Sequence, residues 1–194
     1  ESCSHGIPPV TKGGEGGFCE TIIFYITDNG YKLAQQIKGC YPAANILKLT
    51  SSEVAGRSPL QRQWSECGNL IFIMATGIVV RSIAPLIKDK RTDPAVVVLD
   101  EKGGHVISLL SGHLGGANSL AGEIADFIGG DAVITTASDV NNLPSIDMWA
   151  KENKMVIEDW KLVPKIAAKF INEGILKVYF AKGKGQGAKN KGTE

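Results

Sequence analysis

Residues 69–75 read NLIFIMA, an apolar run that stops at Thr76-Gly77. It is far shorter than the ~18 residues of a membrane span, and no other run in the chain comes closer. It has the length of a strand. A strand without polar alternation has both faces buried, as in the centre of a parallel sheet covered by helices. That requirement sets the fold class, because helices must then lie on each side of the sheet.

The neighbouring segments supply those layers. TIIFYIT at 21–27 reads as a first strand and Tyr31–Gly39 as its helix. NILKL at 45–49 is a second strand, Pro59–Glu66 a helix ended by Gly68, and TGIVVRSIAPLIKD at 76–89 a helix bent or interrupted near Pro85. AVVVLD at 95–100 and HVISLL at 105–110 are joined by only EKGG, so they pair as an antiparallel hairpin. A helix follows in the second half of SGHLGGANSLAGEIADFIG and ends at Gly129. AVITT at 132–136 is a strand, Ile146–Asn153 a helix, MVIED at 155–159 a short strand, Leu162–Glu173 a helix and KVYFA at 177–181 a last strand. The expected fold is therefore α/β, with a mostly parallel or mixed sheet and helices on both faces, in one unit or two small ones. Residues 1–20 are Gly-rich and read as a flexible leader. The N-terminal α/β domain runs over 21–140, a central segment or second small unit over 141–181, and a basic, Gly-rich tail over 182–194.

Composition narrows the function classes. The 194 residues are 43% hydrophobic and 21% charged, with a formal net charge of +1. That is ordinary globular composition and argues against a nucleic-acid tract or a polybasic membrane anchor. The first ten residues lack the apolar core of a signal peptide. Cys3, Cys19, Cys40 and Cys67 form no CxxC pair, and no disulfide framework is expected in an α/β chain of this size, so the cytoplasm is the expected compartment. Cys3, His5 and Cys19 are the only candidate metal ligands, and a flexible leader is the better reading of their segment.

In open α/β sheets, ligands bind beyond the carboxyl ends of the strands. Three turns qualify. In ATGIVVR, Thr76 can cap the helix, Gly77 permits close approach, and Arg81 stands one turn in, where an anionic ligand would offset its opposition to the helix dipole. In SGHLGGAN, Ser111 or Gly112 ends the strand and Gly115-Gly116 expose backbone donors. His113 can move a proton near neutral pH, and Asn118 can hydrogen-bond at the same mouth. In TTASD, Thr135, Thr136 and Ser138 offer hydroxyls and Asp139 a carboxylate, as caps, turn formers or ligand contacts. Asp100, Glu101 and His105 at the hairpin are better explained by turn chemistry. Neither GxGxxG nor GxxxxGK[ST] is present, and no Lys follows the glycines, which disfavours a nucleotide- or sugar-phosphate-binding enzyme. GxSxG and HExxH are also absent.

The run ATGIVVRSIAPLIKDKRTDPAVVVLDEKGGHVISLLSGHLGGANSLAGEIA, followed by AVITTASD, resembles the cobalt-precorrin-5A hydrolase family of anaerobic cobalamin biosynthesis. The resemblance extends over Thr21–Tyr179 and is most specific over 75–139. It implies a hydrolase that opens the δ-lactone of a tetrapyrrole macrocycle and expels acetaldehyde, giving cobalt-precorrin-5B. Cobalt would belong to the substrate, so neither a cofactor nor a protein metal is implied. The substrate's carboxylates would suit Thr76, Gly77, Arg81, Ser111, Gly112, Gly115, Gly116, Asn118, Thr136 and Asp139 as binding residues. His113 would be the general base, with the N–H groups of Gly115 and Gly116 stabilising the oxyanion. Members of the family usually carry a further C-terminal domain. A separate chain or domain is thus an expected partner on which the activity of this portion can depend, and the alternative reading is a non-catalytic corrinoid-binding or partner-docking domain.

Overall fold

A computed structural model describes residues 21–50 and 58–179; the leader, the tail and the Cys3, His5 and Cys19 ligand set lie outside the described residues. The elements run β1 (Thr21–Tyr25), α1 (Asp28–Lys38), β2 (Asn45–Lys48), α2 (Ser58–Glu66), β3 (Asn69–Ile73), α3 (Thr76–Ile83), β4 (Ala95–Leu99), β5 (His105–Leu110), α4 (Ala117–Ile128), β6 (Asp131–Val133), α5 (Ala137–Val140), α6 (Ile146–Glu152) and α7 (Val163–Glu173).

The strands form one six-stranded sheet in the order β2-β1-β3-β4-β5-β6. The first four are mutually parallel, β5 is antiparallel to β4, and β6 is parallel to β5. Side chains alternate across a strand, and the two cores follow that alternation. Ile23, Ile71, Ile73, Val97 and Leu99 pack on one face against Leu33, Ala34 and Ile37 of α1 and Ala121 and Ile124 of α4. Ile22, Phe24, Leu70, Phe72, Val96 and Val98 pack on the other face against Leu60 and Trp64 of α2 and Val79 and Ile83 of α3. The unbroken apolar character of β3 and β4 is thereby explained: neither face meets water.

Local chemistry sets several boundaries. The Thr27 side chain caps α1 by accepting the Gly30 N–H at 3.0 Å, so α1 begins three residues before Tyr31, where sequence periodicity first shows. α3 stops at Ile83 rather than near 89, because Pro85 has no N–H to donate and its ring crowds the preceding turn. The chain then turns around Asp93, a buried carboxylate that accepts the N–H groups of Lys88 and Asp89, both at 2.9 Å. α4 closes at Gly129, whose φ of +74° places it in the left-handed region. The expected hairpin is present, and Asp100 organises its turn by accepting N–H groups from Lys102 and His105 at 2.9 and 2.7 Å.

Other expectations fail. MVIED at 155–159 is not a strand, and Val156 is 87% exposed, so the segment has no sheet edge to join. Lys177–Tyr179 are likewise not in a strand, and residues 180–181 lie outside the described set. β6 covers 131–133 instead of 132–136, because residues 137–140 form the short helix α5. Cys40 is disulfide-bonded, although no disulfide framework is expected from the sequence, and Cys67 is a buried thiol that donates to Gln63 Oε1 at 3.2 Å.

The Phe24 and Phe72 rings stack with centroids 4.9 Å apart in the centre of one core face. Phe72→Ala removes that contact and opens a cavity, so it is expected to destabilise the fold by about 3–5 kcal/mol, measured by urea unfolding.

Candidate active site

The antiparallel β5 divides the three candidate turns between opposite ends of the sheet. β3 runs with β4, so the turn at Thr76 lies where β1, β3 and β4 finish. β5 runs the other way, so SGHLGGAN lies where those strands begin. The segment after β6 joins SGHLGGAN, because β6 is parallel to β5. A cleft of about 610 Å³ opens at this second end, lined by Asn69, Arg91, His113, Glu123, Asp139 and Lys151 among others. That volume suits a small-molecule ligand.

The structure therefore brings Ser111, Gly112, His113, Gly115, Gly116, Asn118, Thr136 and Asp139 together and separates them from Thr76, Gly77 and Arg81. Thr76 lines a different crevice of about 550 Å³ with Thr27, Glu101 and His105, where the Thr27 hydroxyl donates to Glu101 at 2.7 Å. Ala75, not Thr76, occupies the cap position of α3 and offers no side-chain cap. Arg81 is exposed and folds back over Gly77, with Nη1 3.4 Å from where a β-carbon would stand.

SGHLGGAN is a turn packed against itself. Ser111 adopts φ +59°, unusual for a residue with a side chain, and its hydroxyl donates to the Asp93 carbonyl at 3.1 Å. A β-carbon at Gly112 would sit 2.6 Å from Asn118 Oδ1, and one at Gly115 would sit 2.4 Å from Ser111 Cβ. Gly116 has φ +88° and begins α4. The turn also consumes most of the donors at that helix start. Gly116 N–H donates to the His113 carbonyl, Ala117 N–H to Ser111 and Asn118 N–H to Gly112, at 3.0–3.2 Å. The expected pair of free N–H groups at Gly115 and Gly116 is thus reduced, since Gly116 is already occupied.

A line of side chains crosses the mouth of the turn. Ser108 donates to Asn118 Oδ1 at 2.6 Å, and Asn118 Nδ2 donates to Thr136 Oγ1 at 2.9 Å. Thr136 then donates to Asp139 Oδ2 at 2.5 Å. The same carboxylate oxygen lies 2.6 Å from His113 Nε2, and Ser138 Oγ is 3.1 Å from that nitrogen. Burial raises the Asp139 carboxyl, but hydrogen bonds from Thr136, His113 and Asn118 outweigh it and hold Asp139 below the ordinary carboxylate range. Asp139 is therefore ionised at neutral pH. Its contacts make it an anchor for the His113 ring as well as a cleft-lining group.

Sequence reading did not single out Asp147. Asp147 lies in the first turn of α6, where an acidic residue looks like an ordinary complement to the helix dipole. In the structure it is buried, with Oδ1 3.8 Å from His113 Nδ1 and Oδ2 3.5 Å from Lys90 Nζ. Lys90 and Arg91 flank the Trp160 ring at 5.7 and 5.6 Å, and Arg91 is paired with Asp89. Tyr41 donates to Glu123 at 2.9 Å on the opposite wall. Among the described residues no group of three or more His, Cys, Asp or Glu is arranged to hold a metal. No helix there is long and apolar enough to cross a membrane.

Two measurements check this geometry. Because the carboxyl of Asp139 is lowered on folding, its contribution to stability is complete above the ordinary Asp value of about 3.9 and disappears as pH falls through the lower folded value. Asp139→Asn is expected to flatten the acid limb of the stability curve in that window, followed by thermal unfolding from neutral pH downwards. Gly115→Ala forces a β-carbon into Ser111 and is expected to cost about 1–3 kcal/mol in the same assay.

Residues 58–139 match the family model described as Cobalamin synthesis G N-terminal. The chain is 55% identical over 153 residues to the cobalt-precorrin-5A hydrolase of Salmonella typhimurium, covering 74% of this chain and 43% of that protein. It is 35% identical over 178 residues to the cobalt-precorrin-5A hydrolase of Priestia megaterium, covering 85% of this chain and 46% of that protein. The chain thus spans less than half the length of these relatives. A crystal structure of a cobalamin biosynthesis protein G homolog from Sulfolobus solfataricus superposes with a TM-score of 0.51 at 23% identity, covering 85% of this chain and 52% of that one, which shows the fold. The family match includes the whole SGHLGGAN turn and the residues up to Asp139, and over this portion the chain is similar to the cobalt-precorrin-5A hydrolases.

Proposed function

We propose that this chain takes cobalt-precorrin-5A as substrate, opens its δ-lactone by hydrolysis and releases acetaldehyde to leave cobalt-precorrin-5B. The observation that carries the reading is the His113 ring, held by Asp139 at 2.6 Å in the mouth of the cleft. The names of the curated relatives support it. In this reading His113 is the general base that activates water towards the lactone carbonyl. The Gly115 N–H supplies an oxyanion contact, of a kind worth about 3 kcal/mol per donor. The ring-opened alcohol then loses its O–H proton and collapses in a retro-aldol-like cleavage: its oxygen forms the aldehyde C=O, the C–C bond breaks with its electron pair passing into the conjugated macrocycle, and acetaldehyde leaves.

A polycarboxylate substrate needs cations at the rim. Arg91 and Lys151 line the cleft, and Lys90 stands beside it through Asp147. These take the role first given to Arg81, which lies at the other end of the sheet. Ser111, Gly112 and Asn118 shape the mouth, and Asn118 acts through Thr136. Cobalt enters as part of the substrate, no resident cofactor is invoked, and the cytoplasm is the proposed compartment. A further domain or chain, matching the portion of the relatives beyond this one, is the proposed partner for closing over the macrocycle.

The test is acetaldehyde release from cobalt-precorrin-5A, with His113→Gln beside the unaltered chain. The expected loss is about 10²–10⁴-fold in rate with substrate binding retained; undiminished turnover refutes the assignment. Dialysis of the protein against a chelator is expected to leave the rate unchanged, and a loss restored by added metal would show that the protein holds a metal of its own.

A further inference from the structure

We infer that Nδ1 is the working nitrogen of His113, and that Asp147 is a further catalytic residue holding the attacking water against it, with Asp139 as the positioning residue. The inference rests on the hydrolytic reading above and specifies how that site handles the proton.

The argument begins at Nε2. Asp139 is ionised, and an ionised carboxylate can only accept hydrogen bonds. The 2.6 Å contact therefore requires Nε2 to carry the hydrogen. The remaining contacts agree with that assignment. Thr136 donates to the same oxygen at 2.5 Å, and Thr136 is itself oriented as a donor because it accepts from Asn118 Nδ2. Asn118 is fixed in turn by the Ser108 hydroxyl on its Oδ1. The chain of donors runs in one direction from Ser108 to Asp139, so Nε2 is committed to Asp139 and Nδ1 is the nitrogen left to take a proton.

Nδ1 faces Asp147 Oδ1 at 3.8 Å. That is too long for a direct hydrogen bond, and we place one water in contact with both atoms. A water at about 2.8 Å from both atoms stands off the line between them with its lone pairs directed away. The Asp147 carboxylate is held in place on both oxygens. The Met148 N–H donates to Oδ1 at 3.0 Å, and Lys90 Nζ lies 3.5 Å from Oδ2. Lys90 is itself steadied over the Trp160 ring.

The step balances on these groups. One O–H of the water breaks and its proton passes to Nδ1, while the oxygen bonds to the lactone carbonyl carbon and the carbonyl pair moves onto oxygen. When the tetrahedral species collapses, the ring C–O bond breaks and the leaving alkoxide takes the proton from Nδ1. His113 returns to its starting tautomer. Between these events the charged ring lies between two carboxylates, Asp139 on one edge and Asp147 on the other.

Nitrogen-15 NMR of histidine-labelled full chain reads the tautomer without reference to activity. The expected spectrum shows His113 protonated at Nε2, with that preference lost in Asp139→Asn; protonation at Nδ1 in the unaltered chain overturns the inference. An atomic-resolution crystal structure is expected to show solvent within hydrogen-bond distance of both Nδ1 and Asp147, and a direct contact between the two overturns it. Asp147→Asn is expected to keep the Nε2–H signal, which also reports that the variant folds. Its KM should be unchanged and its kcat lower by about 10²-fold or more, whereas full kcat removes Asp147 from the mechanism. If the unaltered chain releases no acetaldehyde even with the remaining portion of a relative supplied in trans, the lactone reading fails on that result alone, and the spectrum and the solvent position still decide the inference.

Discussion

The antiparallel pairing of β5 against β4 is the constraint on which the site depends. A five-residue connection, Asp100–Gly104, cannot carry the chain back across the sheet for a parallel strand, so β5 must return beside β4 in the opposite sense. Its carboxyl end then falls where β1, β3 and β4 begin. β6 follows β5 in parallel and brings the segment after it to the same end. The polar residues of two consecutive turns, His113 in one and Thr136, Ser138 and Asp139 in the other, meet for that reason alone. The crevice where β1 and β3 part towards opposite sides of the sheet, the usual ligand position in a parallel α/β sheet, lies at the far end.

The second constraint is steric. SGHLGGAN looks like an anion-binding turn because glycines precede a helix. The structure uses those glycines differently. Gly112 and Gly115 leave room for Asn118 and Ser111, and Gly116 supplies a positive φ. The turn's own carbonyls take up donors that a phosphate would otherwise meet. What remains is a rigid ledge that fixes the His113 backbone, while Asp139 fixes its ring. Backbone strain at Ser111 is retained because close contacts on both sides determine its position, as is common where a side chain must be held for chemistry.

Most of the sheet was legible in the sequence because its strands lie in short apolar runs separated by turn residues. The strands at 69–75 and 95–100, the hairpin, and the stop at Gly129 all rest on local signals. The failures are equally physical. MVIED is apolar enough for a strand, but a strand needs an edge to pair with, and pairing is not encoded in one segment. The helix over 76–89, expected to bend or break near Pro85, ended at Ile83, two residues before that missing N–H. At the site, His113, Asn118 and Asp139 stood out by residue type and position. Asp147 did not, since an acid in a helix's first turn is common and its burial appears only after α6 packs against the His113 turn.

By itself the sequence determined what local chemistry determines: an α/β chain with strands buried on both faces, a tight hairpin between β4 and β5, and a His set in a glycine-rich turn before a helix. It also carried the family resemblance, because that turn and its flanks are distinctive as a string of residues. Only the tertiary structure decided which turns share a cleft, because strand direction is a property of pairs of strands. It moved Arg81 away from His113 and brought Lys90 and Asp147 in. It also decided which imidazole nitrogen is anchored, since a tautomer depends on partners that lie far apart in the chain and meet only when the sheet closes.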